Sequence, residues 1–172
     1  MLRRLLFATL LLSGATWAAE PRELTWSELI PPDAPPVAYS QAPVHDLSQL
    51  ADALAAESAP AARQQSPAAP VVKTLDGQQV KLPGYIVPLD VSEEGRVIDF
   101  LLVPYFGACI HVPPPPSNQI VHVTSELGVQ LDALYQPFWI EGPLKVEASS
   151  SELAESGYQM AAEKIYPYEM TE

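Results

Sequence analysis

The chain has 172 residues, 48% of them hydrophobic, with 19 prolines and a single cysteine. Nine basic against 21 acidic residues give a net charge of −12, and only Arg3-Arg4 form a basic pair, which argues against a nucleic acid partner. One cysteine excludes an intramolecular disulfide scaffold and a CxxC zinc ribbon.

Residues 1–18, MLRRLLFATLLLSGATWA, read as a cleavable secretory leader. Arg3 and Arg4 form the positive start, an apolar run follows at 5–12, and Thr16-Trp17-Ala18 offers small residues for a signal peptidase. The run is too short for a spanning helix, so no membrane insertion is expected after cleavage. The expected compartment is the periplasm. Loss of Arg3 and Arg4 takes the charge from −12 to −14, a surface that gathers cations.

Residues 19–70 read as a Pro/Ala-rich arm. Pro31-Pro32 and Pro35-Pro36 favour extended backbone, with Trp26 and Leu29 available to pin it to the domain. A helix is expected at 46–57, because Asp46 and Gln49 have capping-box spacing and Leu47, Leu50, Ala51 and Leu54 form one stripe. His45 then lies beside the cap as a solvated loop residue. Residues 58–70, SAPAARQQSPAAP, lack periodicity and read as a linker.

Residues 71–172 read as a mainly β domain. A short extended run at 71–75 leads to the Asp76-Gly77 turn, and a strand follows at 79–89, interrupted by Pro83-Gly84. A second turn at Glu93-Glu94-Gly95 precedes VIDFLLVP at 97–104, apolar enough for a central strand buried on both faces. Strands follow at 120–124, 138–147 and 158–168, with a short helix at 149–157 capped by Ser149 and Glu152. Five to six bent strands suit a small OB-like barrel with a short helix before the last strand; an open β-sandwich is the alternative.

Chemistry concentrates in YFGACIHVPPPPSNQ at 105–119. In extended backbone Cys109 and His111 share a face, about 7 Å apart, and His122 lies on the next strand. Thiolate plus imidazole suits Zn(II) or Cu(I), with Glu126 or Asp99 as a further ligand. The bland readings are a packed Cys109, a strand-capping His111 and an edge His122. Pro113, Pro114, Pro115 and Pro116 form a polyproline rod, either a wall or, with Tyr105 and Phe106, a partner-binding surface. No G-x-S-x-G elbow and no Gly-rich phosphate loop occur, so no catalytic residues and no enzyme activity are expected. A thiol enzyme or redox protein would need its second thiol from elsewhere.

The run FLLVPYFGACIHVPPPPSNQIVHV at 100–123, with GYIVPLD before and GPLKVE after it, resembles the signature of a bacterial family of small exported proteins with a domain of unknown function. The resemblance implies company with a MacB-like ABC transporter or a His-rich periplasmic metal-binding protein. It therefore implies an accessory role in envelope transport, with zinc or another transition metal bound or relayed. The competing expectation is a docking module without metal.

Overall fold

The computed structural model describes residues 20–34, 63–109 and 113–169. The expected leader, the 46–57 helix with His45, and His111 lie outside the described residues. None of the helices in the described part is long and apolar enough to cross a membrane.

Nine strands are present among the described residues: β1 (Arg22–Glu23), β2 (Gln78–Val91), β3 (Arg96–Val103), β4 (Val121–Gln130), β5 (Phe138–Lys145), β6 (Ser149–Ser150), β7 (Glu155–Ser156), β8 (Tyr158–Ala161) and β9 (Lys164–Pro167). Five of them form a closed ring in the order β2-β3-β4-β8-β5 and back to β2. Closure depends on β2 serving two partners: Gln78 to Gly84 pair with β5, and Tyr85 to Val91 pair with β3. The exchange falls at Pro83-Gly84, where the sequence predicts a break. Gly84 permits it, because a Cβ there would lie 2.8 Å from the Val103 carbonyl oxygen. β4 and β8 run parallel; the other ring pairs are antiparallel.

Strand alternation fills the interior. Val80, Leu82 and Ile86 of β2 meet Phe100 and Leu102 of β3, Val121 and Val123 of β4, Ile140 and Leu144 of β5, and Tyr158 and Met160 of β8. The central strand is buried on both faces over 100–103. Phe100 and Leu102 face the ring core, while Leu101 and Val103 join a second apolar cluster with Val87, Ala108, Ile120 and Ala154.

Three expectations are corrected. The short helix before the last strand is absent; residues 149–156 instead form the β6–β7 hairpin. Ser151 explains it: its hydroxyl accepts the Ala154 N–H (3.1 Å) and donates to the Ala154 carbonyl (2.8 Å), which tightens a turn instead of starting a helix. The run at 71–75 ends in a 3-10 turn, Lys73–Leu75. The expected last strand divides at Ala162-Glu163 into β8 and β9.

The described parts of the expected arm, 20–34 and 63–70, make contacts with the ring. Leu24 and Leu29 are buried in the main core, and Trp26 Nε1 donates to the Pro83 carbonyl at 2.6 Å. The Tyr158 hydroxyl accepts the Val72 N–H (2.7 Å) and donates to the Leu29 carbonyl (2.8 Å), tying both segments to β8. The end of the expected linker is docked as well. Gln64 Nε2 donates to the Pro115 and Glu155 carbonyls at 2.9 and 2.7 Å, and its Oε1 accepts the Glu155 N–H at 2.8 Å.

Candidate functional site

β3 delivers the chain into the 104–120 crossover at one end of the ring. Tyr105 and Phe106 open it. Gly107 and Cys109 both adopt left-handed backbone, at φ +82° and +65°. Cys109 thus sits in a turn, where extended backbone is expected from the sequence. A non-glycine residue at such φ is strained and persists only where its surroundings hold it. Here the side chain is half-buried against the second apolar cluster.

That burial pushes the Cys109 thiol up to about 11. Loss of charge on entering apolar surroundings is the cause. At neutral pH the thiolate fraction then falls about a hundredfold below that of an ordinary thiol. Iodoacetamide should therefore modify Cys109 about a hundredfold more slowly than a free thiol at pH 7, and the rate should climb tenfold per pH unit until near 11. Alkylation at the free-thiol rate in the folded protein would contradict this environment.

The polyproline rod is mostly wall. Pro114, Pro115 and Pro116 are buried and Pro113 is half-buried. The 3-10 turn Ser117–Gln119 follows, and its residues are clamped: Asn118 Nδ2 donates to the Pro70 carbonyl at 2.8 Å, and Gln119 Nε2 to the Trp26 carbonyl at 2.9 Å. Three of the four prolines therefore have no free face for a partner. Phe106 does, at 62% exposed, with its ring edge-on to Tyr85 at 5.7 Å and 68°. Tyr105 is half-buried beside it and packs on the second cluster.

His122 is drawn into a different constellation from the expected metal set. It lies on the outer face of β4 because Val121 and Val123 take the core face. Its Nε2 meets Asp99 Oδ1 at 2.6 Å and its Nδ1 meets Ser149 Oγ at 2.7 Å. A neutral imidazole has one donor and one acceptor nitrogen, and a carboxylate only accepts. Asp99 therefore selects the tautomer with hydrogen on Nε2, and Nδ1 accepts from the Ser149 hydroxyl. Both ring nitrogens are occupied, which leaves no lone pair for a metal in this arrangement. Among the described residues no group of three or more His, Cys, Asp and Glu is placed to hold a metal ion. Asp99, considered as a further ligand, is instead the imidazole's partner.

The sequence carried little sign of this trio. Its members come from β3, β4 and β6, and Ser149 reads locally as a helix cap. One signal was present: Asp99 is the lone acid in an apolar central strand, and His122 interrupts the valines of the strand beside it.

A family model described as "Protein of unknown function (DUF3299)" matches residues 26–167. Among solved structures, a DUF3299 family protein from Pseudomonas aeruginosa PAO1 is 63% identical, covering 88% of this chain and 99% of its own, with a TM-score of 0.76. No curated protein matches the chain.

Proposed function

Because the chain belongs to the DUF3299 family, whose description names no activity, we propose from its geometry that it is an exported accessory protein that works by docking onto a partner, the periplasmic part of an ABC-type envelope transporter. The observation that carries the docking is Phe106. An aromatic ring that is 62% exposed, yet braced by Tyr85 and by the two left-handed residues after it, loses little freedom when a partner covers it. The leader-like residues 1–18 support the compartment, and the family resemblance carried by 100–123 supports the transporter.

The ring is an OB-like barrel in this reading. Its support is the strand order, the bent first strand shared by two neighbours, and the parallel pairing of the third and fifth ring strands. Such barrels bind ligands on the face of their second and third strands and on the loops joining strands one to two and four to five. Here those strands are β3 and β4, and Phe106 leaves from the end of β3.

The test is recovery of the transporter permease with tagged full-length protein after cross-linking in native cells. Phe106→Ala should reduce recovery at least about tenfold, the scale of one aromatic anchor. Unchanged recovery would overturn docking through this residue. Zinc titration against a chelator decides the rival form. Binding at micromolar affinity or tighter, abolished by Cys109→Ala, would replace docking with metal relay through Cys109 and His111.

A further inference from the structure

Asp99, His122 and Ser149 form a continuous chain of short hydrogen bonds on the outer face of the ring. The carboxylate is 35% exposed and the imidazole 19%. The residue types and order of contact are those of a nucleophile, a base and the group that orients the base. Such a trio is recognised by geometry, so the missing G-x-S-x-G does not count against it. The ring is turned so that Nδ1, not Nε2, faces the serine; Asp99 at 2.6 Å keeps hydrogen on Nε2 and leaves the Nδ1 lone pair aimed at Ser149 Oγ, 2.7 Å away. We propose that Ser149 is a nucleophile, activated by His122 and positioned through Asp99, that cleaves short acyl esters.

The steps balance without any cofactor. Ser149 Oγ bonds to the acyl carbon as its proton passes to Nδ1. The C–O bond to the alcohol breaks, and the departing oxygen takes the Nδ1 proton. Water then gives a proton to Nδ1 and attacks the acyl carbon. The Ser149 ester bond breaks, the proton returns to Oγ, and a carboxylic acid leaves. Asp99 steadies the imidazolium in each half.

The acyl group must be short because Ser149 is half-buried and the imidazole beside it is only 19% exposed, which obstructs a long chain. The cavity of about 550 Å³ nearby is lined by Ala148, Ser156 and residues of the 67–71 segment, and Ser149 is not part of its wall.

The experiment uses the full-length protein with p-nitrophenyl acetate, followed by intact-mass and peptide mass spectrometry. An acetyl adduct should map to Ser149 and disappear in Ser149→Ala. Adduct formation should fall about a hundredfold or more in His122→Gln, the scale of a lost general base. Asp99→Asn should slow it comparably and also move hydrogen between the His122 nitrogens, read by ¹⁵N NMR, a change that a purely structural contact would not produce. Circular dichroism checks that each variant is folded. No adduct at Ser149 in folded wild type, or an adduct rate unaffected by His122→Gln, would overturn the proposal. Ser149→Ala should leave transporter recovery unchanged, so this site and docking through Phe106 fail separately.

Discussion

Gly142→Ala should destabilise the protein by about 3 kcal/mol or more, the upper range of forced overpacking. Gly142 occupies an inward position of β5 between Ile140 and Leu144, opposite Val80 of β2. A Cβ there would overlap the Ala161 carbonyl oxygen and come within 3.2 Å of Met160 Cγ. The first obstacle is backbone and cannot rotate away. β5 and β8 must part beside their Leu144–Met160 pair, where the ring closes. Denaturant midpoints for wild type and variant measure the loss. Gly95→Ala is the comparison: its φ is +75° but nothing lies within 4 Å of the added carbon, so about 1 kcal/mol is expected. Equal losses at the two positions would mean that the ring junction is not tightly packed.

Tyr158→Phe should remove about 2–4 kcal/mol while leaving the packing volume almost unchanged. The buried hydroxyl satisfies two backbone groups, the Val72 N–H and the Leu29 carbonyl. Its loss orphans the Leu29 carbonyl in the core and the Val72 N–H in a half-buried site, so the total stays below twice the about 3 kcal/mol upper cost of a fully buried orphan. The ends of the docked N-terminal segment should loosen first, so hydrogen exchange at Val72 should quicken more than at strand centres. Alkaline behaviour gives a second reading. Burial raises the Tyr158 phenol above its ordinary value, so the folded state holds this proton more tightly than the unfolded one. The associated stability is present below about pH 10 and is lost as pH rises through the folded value. Tyr158→Phe should flatten that part of the alkaline decline. A loss under 0.5 kcal/mol with an unaltered alkaline limb would show that the hydroxyl is not the tie.

The mainly β class was legible because its cause is local. Alternation at 121–124 and the apolar run at 97–104 place side chains on opposite faces whatever the partner strands are. The glycine turns at Gly77 and Gly95 were legible for the same reason, since both need positive φ. What escaped depends on distant chain. Ser149 and Glu152 have helix-cap spacing, but Ser151 and the pairing of Ser149 with Ser156 make a hairpin. Gln64 sits in a composition typical of linkers, yet its amide imitates a strand's hydrogen bonds to Glu155. Cys109 stands out in the sequence for its chemistry, while no local signal marks its left-handed backbone. The Asp99–His122–Ser149 contact joins residues 23 and 27 positions apart, and no local motif encodes it.

The parallel pairing of β4 with β8 bears on how the chain reaches this shape. Val121 to Thr124 pair with Tyr158 to Ala161 across β5, β6 and β7 in sequence, and β8 also supplies the contact to β5 that completes the circuit. Contacts between such remote positions carry a large loop-closure cost before they return any stability, so assembly belongs to the slow, millisecond-to-second regime of high contact order. A nascent chain lacking its last fifteen residues would hold four ring strands with two open margins, and such margins invite pairing with other chains.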